Sequence, residues 1–379
     1  FNGEDQFLIE LEQQIVDKSV GDAKKVHKDL IEKFTEMWVE LGSFSASQKQ
    51  TFYVTSNQLL KNRLKMIPDV RDYIETVIIL VESDVNQQRF DDWHKTVDFV
   101  IASRSARKDF GDYMEFSSRL FSDNIVYATG SVEWSTNTQD FQFSLDDENP
   151  ILTFNNLDLT CSAKGTSTTI LGTSGVLNPI DGEWIGKNGT VTWERAGLDP
   201  NKVYAIINNY DIKLKYSNYN ADSVVFYNTD YFDAPLKGRL LEKVQAVANA
   251  DRASFPSFES YSQRLRIANI DKGVDYEGGF TQKGSRFLAS GTDEDPAYLI
   301  FYLNDKPFLE VYSLSFSIKE DKITSTDAGV NFLLHEDSIT HPGLDFKYFR
   351  ADRNVSLFKS NEGLQKAPYF DSYHAVSYT

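Results

Sequence analysis

The chain is poor in cysteine and has no long hydrophobic run. Its 379 residues include one cysteine, Cys161, so no internal disulfide can stabilise the fold. Cys161 ends the apolar alternation Ile151–Cys161, a setting typical of inert packing rather than of a nucleophile. The longest apolar run, Thr76–Val81, is far shorter than the roughly 18 residues that indicate a membrane-spanning helix. The sequence therefore predicts neither a disulfide scaffold nor a transmembrane segment.

Positive charge is also scarce. The chain has 39 Lys and Arg residues against 56 Asp and Glu residues, which gives a formal net charge of −17. Such a surface repels phosphate backbones and anionic lipid headgroups, which argues against nucleic acid or an anionic membrane surface as the main ligand. We interpret the acidity as a device for solubility.

The motifs of nucleotide-binding and hydrolytic enzymes are missing. Gly182–Asn188 has three residues between its glycines and no Ser or Thr after Lys187, so it is not a phosphate-binding loop. Gly172–Gly175 lacks the spacing of a nucleophile elbow, because Gly175 follows Ser174 directly. With five histidines in the chain, a catalytic triad would have to recruit a distant one. The sequence predicts no catalytic residue and no cofactor.

Histidine and carboxylate groups give no convincing metal site. On an extended strand His335 and His341 share a face but lie about 20 Å apart, too far to hold one ion. A turn at His341–Gly343 is the better interpretation of this stretch. The acidic groups Asp146–Glu148 and Asp293–Asp295 do not follow the twelve-residue calcium loop, so we expect solvated turns there.

The first third of the chain has helical periodicity. Apolar residues recur at spacings of three and four from Phe7 onward, and Gly42 and Pro68 interrupt the pattern. We expect about six helices in an all-helical bundle or array over residues 1–124. Such a module more often docks a partner or supports a neighbouring domain than performs chemistry.

After Asp123 the apolar period changes from 3.6 to 2. Short alternating segments follow one another, separated by Gly, Asn, Asp and Pro, and the aromatic content of 13% favours extensive sheet. Residues 235–252 interrupt this alternation and predict a short helix. We expect a first β domain over 125–252 and a second β region over 253–379 that continues beyond Thr379.

The predicted fold class is α+β multidomain, with an N-terminal all-helical domain followed by a β-rich region. The strands are short and closely spaced, and crossover-length helices are rare among them, which argues against a doubly wound α/β fold. A β-solenoid, a jelly roll and a sandwich all stay open, and a pattern that runs to the end of the chain favours the solenoid slightly.

Aromatic residues of the first β domain are the candidate binding residues. Trp184, Trp193, Tyr204 and Tyr210 lie close together in sequence and could form a platform for sugar rings. Aromatic residues at alternating positions more often pack across strands, so core packing is the competing interpretation.

Four segments resemble the very large, uncharacterised, β-rich secreted or envelope-associated proteins of Bacteroidota-type bacteria. These are Gly189–Tyr216, Asp222–Phe232, Glu336–Phe349 and Ala367–Tyr378. The resemblance implies an exported protein, periplasmic or outer-membrane-associated, with a longer native chain and protein partners in the envelope. In fold alone, residues 274–358 also resemble the β-jellyrolls of periplasmic lipopolysaccharide transport.

Two functional hypotheses follow. The first is a non-enzymatic structural or binding protein of the bacterial cell envelope, acting as a subunit of a larger outer-membrane-associated assembly. The alternative is an extracellular glycan-binding or carbohydrate-active protein, which would need exposed aromatic rings and converging carboxylates.

Overall fold

The computed structural model describes residues 1, 6–83, 85–146, 149–246, 250–262, 264–334, 337–359 and 377–378. A helical region at residues 7–123 is followed by antiparallel β-structure, which confirms the predicted fold class. The chain divides into two compact units: unit 1 is Phe1–Lys187 with Asp211–Ser217, and unit 2 is Asn188–Tyr210 with Asn218–Thr379.

Unit 1 begins with the helices. They are α1 (Phe7–Leu11), α2 (Asp22–Thr35), α3 (Ala46–Lys61), α4 (Arg71–Glu82), α5 (Gln87–Ala102) and α6 (Phe110–Asp123), and single π-helical turns, Glu12–Val16 and Glu36–Glu40, continue α1 and α2. Ser45 and Gln48 form a reciprocal capping box at the start of α3. Asn124, in the left-handed conformation at φ 58°, ends α6.

A line of aromatic rings holds the helices together. Phe52 stacks on Tyr73 with 4.9 Å between ring centroids, and Tyr73 stacks on Trp93 at 6.1 Å. All three side chains are fully buried. Burial of several such rings supplies much of the stabilisation of this part of the unit.

A twisted antiparallel sheet completes unit 1. Its strands are β1 (Ile125–Ala128), β2 (Glu133–Thr136), β3 (Phe141–Asp146), β4 (Asn149–Ala163), β5 (Thr166–Asn178) and β6 (Glu183–Lys187). β4 pairs with β2, β3 and β5, and β5 pairs with β6. Phe121 of α6 lies 6.0 Å from the rings of Phe141 and Phe143. Cys161 is fully buried on β4, in agreement with a packing role.

The remaining strands lie in unit 2, apart from β9, which spans the boundary between the units. They are β7 (Thr190–Thr192), β8 (Val203–Ile206), β9 (Asn209–Lys213), β10 (Asn218–Asn228), β11 (Leu236–Lys243), β12 (Ser257–Ser260), β13 (Leu265–Asp271), β14 (Val274–Lys283), β15 (Arg286–Ser290), β16 (Ala297–Leu303), β17 (Lys306–Ser313), β18 (Ser315–Ile318), β19 (Lys322–Leu334), β20 (Asp337–Phe349), β21 (Asn354–Lys359) and β22 (Ser377–Tyr378).

A continuous sheet crosses the domain boundary that the sequence suggested at 252/253. Hydrogen-bonded pairing runs in the order β7, β8, β10, β11, β12 and β14. The prediction of a short helix within residues 235–252 is wrong for the first half of that segment, because Leu236–Lys243 forms the central strand β11. Leu240 and Glu242 point inward there, and the pairing on both sides outweighs the weak helical spacing.

Six strands of unit 2 close into a ring. β14 pairs with β15 and β16, β19 pairs with β17 and β18, and the pairs β15–β18 and β16–β17 complete the circuit. β14 changes partner near Gly278 and Gly279, and β19 does so at an irregularity between Ser325 and Ala328. Long strands that bend at such points make the corners of two-layer β folds.

The ring encloses an apolar interior. Its buried side chains include Tyr276, Phe280, Phe287, Ala289, Leu299, Phe301, Leu309, Val311, Phe316, Ile318, Ile323 and Val330. The strand pairings described here are antiparallel, whereas the stacked coils of a solenoid pair in parallel, so the solenoid alternative is wrong.

The turn expected at His341–Gly343 is also wrong. These residues belong to β20, where Val330 faces His341 and Ala328 faces Leu344. Pro342 and Gly343 therefore lie opposite Gly329 alone, the two-against-one arrangement of a β-bulge. A bulge accommodates a proline that cannot donate to the ladder.

Candidate functional site

The four predicted binding aromatics do not form a common surface. Trp184 belongs to unit 1, whereas Trp193, Tyr204 and Tyr210 belong to unit 2. Trp184 and Trp193 have no exposed surface, and Tyr210 is 4% exposed. A fully buried ring has no face for a sugar, so core packing describes these three side chains.

Tyr204 is the half-exposed member of that set. Its ring stacks on Tyr227 of the neighbouring strand, with 4.7 Å between centroids and 12° between planes. One face of each ring is thereby covered by the other. This cross-strand pair stabilises β8 against β10, and both tyrosines are half-buried.

A cavity in unit 2 combines buried amides with apolar walls. It measures about 330 Å³, at the small end of the range of roughly 300–1,000 Å³ that is usual for ligand sites. Phe287, Ile318 and Ile270 provide buried apolar wall, and the half-buried ring of Tyr231 adds an aromatic face. We call this space the amide cavity, after Asn228 and Gln282 in its lining.

Asn228 and Gln282 are 3% and 2% exposed. The Asn228 side-chain nitrogen donates to the Gln282 side-chain oxygen at 3.3 Å, and the Gln282 nitrogen donates to the Gly284 carbonyl at 2.8 Å. The Asn228 side-chain oxygen accepts from the Asp230 backbone amide at 3.2 Å. These bonds fix the orientation of both amides at the end of β10 and in β14.

Each of the two amides keeps hydrogen-bonding capacity. A side-chain amide nitrogen carries two N–H donors, and each nitrogen makes one bond within the described residues. A buried donor without a partner costs about 1–3 kcal/mol, so a partner that enters the cavity relieves this cost. The cavity lining therefore includes two amide nitrogens, each with one N–H beyond the bond described.

Arg350 also lines the amide cavity, and several contacts hold its guanidinium in place. Its guanidinium donates to the carbonyls of Lys319, at 3.0 Å, and of Ile270, and it lies 3.6 Å from the Asp271 carboxylate. Tyr348 donates its hydroxyl proton to the same carboxylate at 3.0 Å. Burial, followed by this contact with Asp271, raises the pKa of Tyr348, so the hydroxyl stays protonated.

The charges around the amide cavity balance. Lys319 and Arg350 bring two positive charges, and Asp230 and Glu320 bring two negative ones. Asp230 accepts from Lys202 at 2.8 Å, and this hydrogen bond raises the pKa of Lys202. Because the positive and negative charges of the lining balance and the buried amides are uncharged, the cavity suits an uncharged ligand better than an ion.

One local feature of the sequence points to this site. At its end, Phe280–Lys283, β14 alternates between buried and half-buried residues, and Gln282 occupies a buried position in phase with Phe280. A polar residue in the apolar phase of a strand requires a buried partner. Asn228, Tyr231 and Arg350 carry no comparable local signal, because only the fold brings them together.

No three His, Cys, Asp or Glu side chains of the described residues come close enough to hold a metal ion. Of the stretches weighed as metal sites, His335, Glu336, Asp147 and Glu148 lie outside the described residues.

Unit 1 has a cavity of similar size, about 340 Å³, beside α6 and β1. Its rim carries three carboxylates, of Asp112, Glu115 and Asp181. Glu115 pairs with Arg119, and Asp181 accepts from Asn178 at 2.8 Å. Its polar groups are exposed or half-exposed, unlike the buried amides of the amide cavity, so it offers a ligand less fixed geometry.

Comparisons with protein-family models, curated proteins and solved structures found no match to this chain. Among the helices that the structure describes, none is both long and apolar enough to cross a membrane.

Proposed function

We propose that the protein is a non-enzymatic binding protein, and that the amide cavity of unit 2 holds a small, uncharged ligand rich in hydroxyl groups, such as one residue of a glycan. The observation that carries the proposal is the pair of nearly fully buried amides, Asn228 and Gln282, with donor capacity to spare beside aromatic and apolar walls.

Carbohydrate chemistry fits each part of the amide cavity. Sugar hydroxyls both donate and accept, so they bond to amide groups without bringing a net charge into a buried space. The C–H faces of a sugar ring pack on aromatic rings, and Tyr231 and Phe287 supply such surfaces. The cavity volume admits one small ring rather than a long oligosaccharide.

The location belongs to the same proposal. We propose that the protein is exported to the periplasm or the outer membrane and works beside protein partners of the cell envelope, as the resemblance of its sequence segments implies. Fractionation of the source cells followed by immunodetection tests the location. Recovery of the protein in the cytoplasmic fraction alone would contradict it.

The binding test uses isothermal titration calorimetry with a panel of neutral monosaccharides, uronic acids and amino sugars. We expect saturable binding of a neutral sugar. Each hydrogen bond between the ligand and a buried amide contributes about 1–3 kcal/mol, so the deoxy analogue that lacks the matching hydroxyl should bind about 5–150-fold more weakly.

Variants assign the binding to the amide cavity. Gln282→Met and Asn228→Leu remove the donors while keeping comparable volume, and each should raise the dissociation constant at least tenfold. Asn220→Leu is the control, because Asn220 is an exposed amide on the same strand, β10, outside the cavity. If the buried substitutions unfold the protein, Tyr231→Ala at the half-exposed wall gives the same readout. Sugar binding that survives all three cavity variants would contradict the proposal.

The carbohydrate-active alternative has one observation in its favour. Two carboxylates, Asp230 and Glu320, line the same cavity, and glycoside hydrolysis needs a pair of them. A release assay for reducing ends distinguishes the two functions. Release that disappears in both Asp230→Asn and Glu320→Gln would favour the hydrolase, whereas binding without release supports the binding protein.

A further inference from the structure

Among the described residues of unit 2, β20 has a neighbouring strand on only one side over its first residues. β20 pairs with β19 along its length, but β21 pairs with β20 only over residues 344–349. The first five residues of β20, Asp337–His341, therefore have β19 on one side and no other described strand on the other. We call this segment the tip edge; residues 335–336 and 360–376 lie outside the described part of the chain.

The tip edge presents an apolar strip. Ile339 is 59% exposed and Leu334 is 52% exposed. In the hairpin register Ile339 faces Phe332, and directly opposite residues share a face of the sheet. Val330 on the same face is 1% exposed, so the strip continues the core surface of the ring out into solvent. Exposed apolar surface beside an open edge is a recognised place for strand addition.

The sequence of the tip edge is complementary to itself. In an antiparallel pair of two copies centred on Ile339, Asp337 faces His341, Ser338 faces Thr340, and the two Ile339 side chains face each other. The pair thus places a carboxylate opposite an imidazole at both ends, hydroxyl opposite hydroxyl, and apolar opposite apolar at the centre. Pro342 has no N–H and limits the ladder to these five residues.

We propose that two copies of this chain pair through their tip edges, antiparallel and about a two-fold axis at Ile339. Each copy then donates and accepts main-chain hydrogen bonds across the axis, and the apolar strips of the two hairpins lie side by side. A two-fold axis makes the contact self-limiting, so it yields a dimer and not a filament. His341 keeps the hydrogen bond that its Nδ1 accepts from the Gly343 amide at 3.2 Å.

The first test is sedimentation velocity of the full chain over a wide range of concentrations. The contact is small, so we expect a monomer–dimer equilibrium that depends on concentration. Ile339→Lys places two like charges at the axis and should raise the dimer dissociation constant at least tenfold. Ile185→Lys is the matched control, because Ile185 is a strand isoleucine of unit 1 with 54% exposure, and it should leave the equilibrium unchanged.

A charge exchange tests the register. His341→Glu places two carboxylates opposite each other at both ends of the pair, and Asp337→Lys removes the carboxylate that faces the imidazole, so each alone should weaken the dimer. The double variant D337K/H341E places opposite charges at both ends and should return the dissociation constant toward that of the wild type. Thermal unfolding of every variant checks that the monomer is intact.

Three results would overturn the proposal. They are a chain that stays monomeric at every concentration, a dimer that Ile339→Lys does not weaken, and a double variant that is no stronger than either single one. The second result would place a dimer contact elsewhere on the chain, and the third would contradict the antiparallel register.

Discussion

The buried histidine of the helical region gives a prediction with a definite sign. His94 is 2% exposed; its Nδ1 lies 2.8 Å from the Phe90 carbonyl and its Nε2 lies 2.8 Å from the Tyr73 hydroxyl. Burial lowers the pKa of His94 from 6.5 to about 4, against a smaller opposing effect of the bond to Phe90. The folded state therefore holds this imidazole neutral.

The direction of the pH dependence follows from that shift. Between the folded pKa of about 4 and the unfolded value of 6.5 the unfolded chain binds a proton that the folded chain does not. The contribution of His94 is complete above pH 6.5 and is lost as the pH falls toward 4. The difference between these two pKa values corresponds to about 3 kcal/mol in total, of which about 2 kcal/mol is lost between pH 7 and pH 5.

Urea unfolding at pH 7 and pH 5 measures this loss. We expect the wild type to lose about 2 kcal/mol more than His94→Gln, which cannot titrate in this range. NMR provides a direct check, since one of the five histidine ring signals should stay unchanged down to about pH 4 and should vanish in the variant. Equal pH slopes for both proteins, or five signals that all titrate near 6.5, would refute the reasoning.

Two further predictions concern unit 2. A Cβ at Gly238 would lie 2.0 Å from the backbone carbonyl oxygen of Glu259 on the neighbouring strand, so Gly238→Ala should destabilise the unit by about 1–3 kcal/mol in thermal unfolding, and an unchanged melting temperature would contradict this close approach. The Glu242 carboxylate is fully buried and paired with Arg195, so Glu242→Ala leaves a cation without its partner and should cost about 3–5 kcal/mol. Asp230→Ala, which breaks an exposed pair, should cost at most about 1 kcal/mol; equal effects of the two substitutions in urea unfolding would argue against a special role for burial.

Long-range periodicity predicted the fold class, because it averages over many residues. Apolar residues spaced three and four positions apart from Phe7 onward predicted the helical region. The alternation along Ile151–Cys161 predicted strand β4. Local spacing was less reliable. Leu236–Lys243 has leucines at near-helical positions, yet pairing with β10 and β12 makes it a strand. Tertiary context decided that segment.

The candidate site was harder to predict than the fold. Trp184 and Trp193 were conspicuous because of their size, but size favours burial as much as binding, and both rings are fully buried. The amide cavity is made by residues from six separate stretches of unit 2, among them Asn228 and Arg350, and it exists only after the ring of strands has closed. Gln282, polar in an apolar phase of β14, was its one local signal.

NMR of the side-chain amides of Asn228 and Gln282 tests the central claim most directly. Both NH₂ groups give resolvable signals, which substitution of each residue assigns. During titration with a neutral sugar that binds, we predict saturable shifts of these two signals with one common dissociation constant, and no shift of the exposed Asn220 amide. Saturable binding that leaves the Asn228 and Gln282 signals unmoved, or no binding by any neutral sugar, would contradict the account.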